Sequence, residues 1–398
     1  CKDIVNLKTS INILEYEKYV DKTTYDEWDW SAAFNKCISD IKSKKQSTII
    51  VPIGIFNCYS TINLKRGVLI KGQGTWDTDN SSKIKLGNNA NTTLFRTPYA
   101  QDPNSNSTSF MALENLVIDG NKANQTSYNT LIDFSGVFVG SWIKDCMICY
   151  SKGKALVTSG TQDIYFSNLW IIYNETENNE SSVVLGNEDS INGFITMDNI
   201  FIEQCETNIN SNITKGRALQ LSCCQSCLIN SLHIELASVA LTILGKNCQI
   251  VKINNFTTYE CGIESDIENN AQVLIKNASP YLLDMTGLFA YKSSKDYYMI
   301  QTNSKDIISG YGYTIVPIQT QVIQKITYNG GNNSSNINYI LPQGSYIPNQ
   351  LNLIRYGNYS DLALNFYINA TKENAWKVHQ KGMYLFIGYN DDDYIQFN

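Results

Sequence analysis

The chain has 398 residues, of which 43% are hydrophobic and 17% are charged, so it is long enough to bury a sizeable core. A formal net charge of −6 without a long basic run argues against a nucleic-acid partner. No apolar stretch approaches the roughly 18 residues that a membrane span requires, so no membrane insertion is expected. Because the chain begins at Cys1 rather than Met, we expect it to be part of a longer protein.

The 11 cysteines are spread over a long chain, unlike those of a small disulfide scaffold. Two pairs, Cys146/Cys149 and Cys224/Cys227, have the CxxC spacing found in zinc and redox sites. In a strand, however, residues three apart point to opposite faces, so neither pair chelates well. With only two histidines in the chain, we predict buried free cysteines, no metal site and no cofactor.

The first 48 residues are predicted to be an N-terminal segment that ends in a capping helix. Residues 1–28 are polar and aromatic, and apolar residues then recur at helical spacing from Trp30 to about Lys44. This spacing predicts a short amphipathic helix with Asp29 or Ser31 as its N-cap. Such a helix could cover the first turn of the following sheet and its exposed strand edge.

Short strands broken by proline and glycine turns follow from residue 49. Three motifs stand in order: Asp-x-Ser-Ala-Ala at 29–33, Val-Pro-x-Gly-x-Phe at 51–56 and Gly-x-Gly at 72–74. Over about residues 29–75 the chain resembles the start of the pectate-lyase-like β-helix domain, which is common in phage tailspikes and polysaccharide depolymerases. The resemblance implies a right-handed parallel β-helix, a homotrimer and a place in the virion tail, where it would act outside the host cell. The resemblance is specific evidence for the fold and weak evidence for the chemistry.

A five-residue strand pattern recurs along the chain at intervals between 23 and 32 residues. The six repeats begin at Asn115, Asp145, Asn168, Asn199, Ser231 and Asn255. Constant strands separated by variable lengths are typical of a β-helix with loops at its corners. We therefore assign residues 49–290 to an all-β, parallel β-helix domain.

Two further strand sets recur between these repeats, which predicts three strands per coil and a triangular cross-section. The first further set contains Leu156, Val184, Leu219, Leu241 and Leu274. The second contains Ile164, Phe194, Leu228 and Ile250. After residue 290 this pattern fades, and strongly alternating strands near the end predict a β-rich, sandwich-like domain over 291–398. The resemblance implies a role in trimerisation or glycan contact for that domain.

The alternation of apolar and other residues in the main repeat predicts which of its side chains face inward. The predicted inner stack consists of Leu116, Ile148, Leu169, Ile171, Ile200, Ile202, Leu232 and Ile234. A slip of one residue would turn all of these side chains outward, so the register is well determined. The intervening residues must then face outward, and among them Trp170, Phe201 and His233 form a stripe of rings on successive coils.

Three polar residues lie beside this stripe on the same face: Glu203, Glu235 and Tyr259. Neighbouring strands are about 4.8 Å apart, so the two glutamates would be stacked. Two carboxylates this close cannot both ionise freely, and the one whose pKa rises can become a general acid. We predict Glu203 and Glu235 as the catalytic pair, without assigning acid and nucleophile or base, and His233 as a residue that tunes or relays protons.

The predicted substrate contacts include rings that stack on sugars and acids that bind hydroxyl groups. They are Trp170, Phe201, Tyr259, Tyr173, Glu206 and Asp119. Outward glutamates are also common on solvated faces, and Asp119, in an Asp-Gly-Asn sequence, is equally typical of a turn. The corner-loop acids Glu175, Glu177 and Glu206 are rivals to the stacked pair.

The sequence therefore predicts a tailspike-type depolymerase that hydrolyses a bacterial capsular or other surface polysaccharide. A stacked pair favours the carboxyl spacing of about 5–5.5 Å used for retention over the roughly 6.5–9.5 Å used for inversion. A lyase, with His233, Tyr259 or Arg217 as base or charge neutraliser, is the chemical alternative. The arginine and aspartate motifs of pectate lyases and the paired aspartates of polygalacturonases are absent, which argues against pectin. A non-catalytic receptor-binding adhesin is the other alternative.

Overall fold

The fold was analysed in a computed structural model, which describes residues 10–41, 46–75, 80–102, 108–187, 192–245, 248–262 and 271–276. Beyond these, strand backbones are described as far as Phe397, and side chains as far as Ile275. The helices are α1 (Ser31–Asp40), α2 (Pro98–Gln101) and two 3₁₀ turns, Ile13–Tyr19 and Lys122–Asn124. None of the described helices is long and apolar enough to cross a membrane.

The strands of the first half are β1 Ser10–Asn12, β2 Ser47–Ile50, β3 Gly54–Cys58, β4 Ile62–Asn63, β5 Val68–Lys71, β6 Ser82–Leu86, β7 Phe95–Arg96, β8 Thr108–Ser109, β9 Ala112–Glu114, β10 Val117–Asp119, β11 Ile132–Asp133, β12 Val137–Phe138, β13 Ser141–Cys149, β14 Leu156–Thr158, β15 Ile164–Ile172, β16 Glu175–Glu177, β17 Ser181–Leu185 and β18 Asn192–Glu203. Those of the second half are β19 Glu206–Ile209, β20 Asn212–Lys215, β21 Arg217–Ser222, β22 Cys224–Glu235, β23 Val239–Leu244, β24 Ile250–Tyr259, β25 Ala271–Lys276, β26 Leu282–Tyr291, β27 Tyr298–Thr302, β28 Tyr313–Thr320, β29 Gln324–Tyr328, β30 Ile337–Leu341, β31 Ser345–Tyr346, β32 Ile354–Arg355, β33 Leu364–Tyr367, β34 Ala375–Lys381, β35 Tyr384–Gly388 and β36 Ile395–Phe397.

Two long sheets of parallel strands form the body of the molecule. The first sheet runs β1-β2-β5-β9-β13-β15-β18-β22-β24-β26-β28, with β3, β6 and β10 attached beside it. The second runs β4-β7-β11-β14-β17-β21-β23-β25-β27-β29 in parallel pairing and ends in the antiparallel strand β30. The chain visits the two sheets alternately, and each visit adds one strand beside the last. This is the predicted parallel β-helix, which the structure confirms.

The inner stack is the predicted one. Along one rung position, Leu169, Ile200, Leu232 and Phe256 lie in register on neighbouring strands. All eight predicted members of the stack are at most 1% exposed. Burying each such side chain contributes about 1.5–3 kcal/mol. A one-residue slip would forfeit that contribution and place glutamates in the core, where an unpaired charge is far more costly.

Six successive coils of the first sheet, from Asn115 to Asn255, bend at a residue in the left-handed region. Asn168, Asn199 and Asn255, with φ between 49° and 54°, lie inside the continuous strands β15, β18 and β24. Asparagine tolerates this conformation better than most residues. The main repeat and the set predicted just ahead of it therefore form one bent strand, and three separate strands per coil are not shown.

The bend residues also bond to one another. The Asn168 side-chain amide donates to the Asp145 carboxylate at 2.7 Å, and the Asn199 side-chain amide donates to the side-chain oxygen of Asn168 at 3.0 Å. A second ladder, one residue before the bend, links Asn230 to Asp198 at 2.7 Å. These bonds tie successive coils together at the corner that orients the outward strand segments.

Two predicted registers are shifted by one residue. In the second sheet the buried ladder runs through Val183 and Val273, rather than Val184 and Leu274. In the first sheet Ile195 occupies the inner position, whereas Phe194 lies outside and is 51% exposed. Both errors occur where adjacent residues are apolar, because the alternation of apolar and polar residues then does not show which of the two faces the core.

Helix α1 covers the strand edge, as predicted. The Asn35 side chain bonds to both the Thr61 carbonyl oxygen and the Asn63 N–H, at 2.8 and 2.9 Å, so it satisfies the free backbone groups of edge strand β4. The helix is capped differently from the prediction: Trp30 occupies the N-cap position. The Asp29 carboxylate accepts from the Ser31 N–H at 2.9 Å and organises the preceding turn instead.

Described strands continue beyond the predicted domain boundary at residue 290. Parallel pairing extends to β28 in the first sheet and β29 in the second. Further along, β33 to β36 form a four-stranded antiparallel sheet. The division into residues 1–48, 49–290 and 291–398, and the sandwich-like packing of the last part, stay predictions.

The left-handed bend predicts a specific stability difference. Both Asn199→Ala and Asn199→Gly lose the amide bond to Asn168, but only alanine is strained at a φ of 53°. We expect the alanine variant to be less stable than the glycine variant by about 1 kcal/mol. Urea unfolding of both variants measures the difference; equal stability would show that the bend imposes no conformational requirement.

Candidate active site

The predicted pair of acids lies on one outward face, where β18 and β22 run side by side. Glu203 is in register with Glu235, and Phe201 with His233. On the flanking strands, Trp170 is in register with Phe201, and Tyr259 with Glu235. The structure therefore brings together six predicted site residues: Trp170, Phe201, Glu203, His233, Glu235 and Tyr259. Their catalytic and binding roles stay predictions.

Glu235 is held by the imidazole of its own strand. The His233 Nε2 lies 2.7 Å from the Glu235 Oε1, and the two side chains are 25% and 30% exposed. The residues are two apart in a strand, so both side chains leave the same face. The His233 ring also packs on Phe201, with centroids 5.6 Å apart. When Nε2 carries a hydrogen, this contact stabilises the charged Glu235 carboxylate.

Glu203 has different surroundings. Burial raises the pKa of its carboxyl above the usual value, and the neighbouring Glu235 charge raises it further. The neighbouring Trp170 indole N–H and His233 oppose this rise. The net shift is upward, so Glu203 keeps its proton to higher pH than an ordinary glutamate does. The two acids are chemically unequal although their backbone positions are equivalent.

The reactive atoms of the three groups converge. One carboxylate oxygen from Glu203, one from Glu235 and one His233 nitrogen all lie within 4.8 Å of one another. Two oxygens and an imidazole nitrogen could also hold a divalent cation such as Zn²⁺ or Mn²⁺. Among the described residues, no other set of three metal-ligating side chains comes as close. The oxygen separation is below the range that inverting glycosidases use.

An apolar surface extends from the acids along the same face. Met147, Trp170 and Tyr173 pack over the buried side chains of Val117, Cys149 and Ile172. These partly exposed groups offer a flat, apolar floor of the type on which sugar rings stack.

Tyr150 is a further candidate contact that the sequence analysis missed. Its ring stacks on that of Tyr173, with centroids 5.1 Å apart and planes 6° from parallel, and it is 40% exposed. Both tyrosines follow the last residue of their strand and have positive φ. The signal was in the sequence, since the repeat aligns Cys149 with Ile172 and hence Tyr150 with Tyr173.

Asp119 is separated from the acid pair by the coils of Cys149 and Ile172. It is 7% exposed, and its carboxylate accepts from the Asn121 N–H at 2.8 Å, as an aspartate in a turn does. Burial raises the pKa of Asp119. These features favour the turn interpretation over substrate contact.

The corner acids are also engaged elsewhere. Glu206 forms an ion pair with Lys122, and Glu175 is buried and accepts a hydrogen bond from Tyr128. Glu177 is exposed and is the last residue of β16, and Arg217 is the first residue of β21 in the second sheet. None of these residues is brought into the cluster of Glu203, His233 and Glu235.

No family model and no curated protein matches the sequence. Among solved structures, the enzymatically active domain of tailspike protein 2 from bacteriophage CBA120 is similar, with 15% identity and a TM-score of 0.55. That match covers 83% of this chain, which spans 45% of the length of the tailspike domain. ORF18 of Geobacillus virus E2 has 14% identity and a TM-score of 0.46, covering 98% of this chain and 76% of that one. The similarity to the CBA120 domain shows that this chain has the parallel β-helix fold of a phage tailspike domain.

Proposed function

We propose that this chain is a glycoside hydrolase that binds and cleaves a bacterial surface polysaccharide, such as a capsule. The observation that carries the proposal is the pair of outward carboxylates, Glu203 and Glu235, set in unequal environments on adjacent strands. A glycosidase needs one carboxyl that is protonated and one that is charged. The enzymatically active domain of the CBA120 tailspike protein 2 has the same fold, which supports an enzyme on this fold.

The unequal environments support a division of roles between the two acids. Glu203, whose pKa is raised, is the general acid that protonates the departing glycosidic oxygen. Glu235, stabilised in its charged form by His233, is the nucleophile that attacks the anomeric carbon. In the second half of the reaction, the now ionised Glu203 takes a proton from a water molecule whose oxygen attacks the anomeric carbon, and the bond between the sugar and Glu235 breaks.

The apolar floor supplies binding energy away from the reacting bond. Trp170 and Phe201 lie beside the acids, while Tyr173 and Tyr150 extend the surface toward the N-terminal coils. A linear surface of this kind suits a polymer, because successive sugars can contact successive coils. By the resemblance to tailspikes, we also propose a homotrimer carried in the virion tail.

Replacing either acid by its amide should abolish cleavage and leave binding intact. We expect Glu203→Gln to lower kcat by about 10²- to 10⁴-fold, the usual contribution of a general acid, and Glu235→Gln to lower it at least as much. Glutamine keeps the side-chain volume, so affinity for the polysaccharide should change little. Size-exclusion chromatography of purified capsular polysaccharides after incubation measures chain shortening.

The matched control is Glu180→Gln, which alters an exposed glutamate paired with Lys154. It should retain wild-type cleavage. Full activity in both site variants would refute the assignment. Products with the ultraviolet absorbance of an unsaturated sugar would instead identify a lyase, and binding without shortening of any polysaccharide would identify an adhesin.

The short carboxylate separation predicts the stereochemical outcome. With oxygens of Glu203 and Glu235 within 4.8 Å, no room remains between them for the attacking water of an inverting mechanism. We expect the first product to retain the anomeric configuration of the substrate. Proton NMR of the anomeric signals during the first minutes of cleavage distinguishes retention from inversion; an inverted product would exclude Glu235 as nucleophile.

The influence of the Trp170 indole on Glu203 predicts a change in pH dependence. Trp170→Phe preserves a ring for the sugar but removes the N–H that opposes the rise in the Glu203 pKa. The general acid should therefore stay protonated to higher pH, and the basic limb of the kcat/KM profile should move upward. Phe201→Leu, which alters the apolar floor beside Glu203 but neither adds nor removes a polar hydrogen, is the comparison variant. An unchanged basic limb in Trp170→Phe would show that Glu203 is not the acid.

A further inference from the structure

The second CxxC motif, Cys224 and Cys227, has a third cysteine beside it that the CxxC spacing did not suggest. Cys224 and Cys227 are both fully buried at the start of β22, the strand that carries His233 and Glu235. The partner of Cys224, however, is not Cys227. The Cys224 thiol donates to the Leu185 and Ser222 carbonyl oxygens at 3.5 and 3.7 Å. The thiol that interacts with it is that of Cys248, which lies 24 residues later, on the next coil.

The backbone holds these two cysteines opposite each other. Ser226 is in register with Ile250, and the same parallel register extended by two residues sets Cys224 against Cys248. The Gln249 N–H donates to the Cys224 carbonyl oxygen at 2.9 Å, which confirms that the two coils stay paired at this corner. Opposed residues on paired strands are about 4.8 Å apart. Disulfides join Cα atoms separated by about 4.4–6.8 Å, so a bridge requires little backbone movement.

We infer that Cys224 and Cys248 are a site of reversible covalent modification, forming a disulfide between adjacent coils when the protein meets a low-molecular-weight disulfide such as oxidised glutathione. The bridge would fasten the coil that carries His233 and Glu235 to the coil that carries Tyr259. It is independent of the proposed hydrolysis, since neither sulfur belongs to the outward face.

The reaction balances as two successive exchanges. The Cys248 sulfur, as thiolate, attacks the small disulfide, forming a mixed disulfide and releasing one small thiol. The Cys224 thiolate then attacks the Cys248 sulfur and releases the second small thiol. The two protons lost by the cysteines end on the released thiols, and the two electrons reduce the small disulfide. The neighbouring Cys224 thiol lowers the pKa of Cys248, which favours Cys248 as the first attacking group.

The remaining cysteines give an internal comparison. All ten cysteines in the described part of the chain are buried and unbridged. Cys146, for example, lies opposite Leu169 on the next coil rather than opposite another cysteine. Oxidation should therefore be selective for Cys224 and Cys248.

The test is peptide mapping of the whole chain after exposure to oxidised glutathione, with free thiols blocked before digestion. Because both thiols are buried, one sample is treated in native buffer and a second in urea below the unfolding transition, where coils open transiently. We expect a Cys224–Cys248 cross-linked peptide in at least one sample. We also expect a rise of a few degrees in the thermal midpoint, reversed by a dithiol reductant.

Two variants sharpen the result. Cys248→Ala should lose both the cross-linked peptide and the thermal shift, whereas Cys227→Ala should keep both. A wild-type map in which Cys224 and Cys248 stay free in both samples, or in which Cys224 is joined to Cys227, would overturn the inference. The map does not depend on polysaccharide cleavage, so its outcome is separate from that of the proposed function.

Discussion

The structure depends on the in-register stacking of successive coils. Each strand of the first sheet lies beside its equivalent in the next coil, so that inner residues, apolar with exceptions such as Thr258, meet one another and the outward residues form columns. The backbone bonds of parallel strands fix the spacing, and the alternation of side chains fixes the face. A change in the register of one strand would disturb both the core and the outer columns of its neighbours.

The left-handed bend within each strand directs the segment that carries the candidate site residues. Within β18 and β22, the residue at the bend redirects the strand, and the four residues after it present Phe201 and Glu203, or His233 and Glu235, to the outside. Side-chain ladders such as Asp145–Asn168–Asn199 hold successive bends in line. The acids are thus positioned by rigid strands, which place functional groups more accurately than loops do.

Repetition alone would give two identical carboxyls, which is of little use for acid–base chemistry. The difference comes from neighbours that the repeat does not share: Trp170 and burial act on Glu203, and His233 acts on Glu235. A short distance between like charges then separates the two protonation states further. The rival acids Glu175 and Glu206 lack this arrangement because each is already paired with a group of its own, Tyr128 or Lys122.

The sequence by itself determined the parallel β-helix, the capping helix, the inward parity of residues such as Ile200 and Leu232, and the juxtaposition of Glu203 with Glu235. It could do so because the two faces of the main repeat differ sharply in polarity, so alternation has only one consistent register. It failed at Val183/Val184 and Phe194/Ile195, where both neighbours are apolar and the period carries no information about the face.

The tertiary structure alone decided the contacts between coils. The length of each corner loop determines which side chains meet, and sequence periodicity does not encode that. The joining of two strand sets at a left-handed bend, the approach of the Trp170 indole to Glu203 and the pairing of Cys224 with Cys248 all arise in this way. The pattern of residues thus defined the surface on which chemistry could occur, and packing across coils made the two acids different.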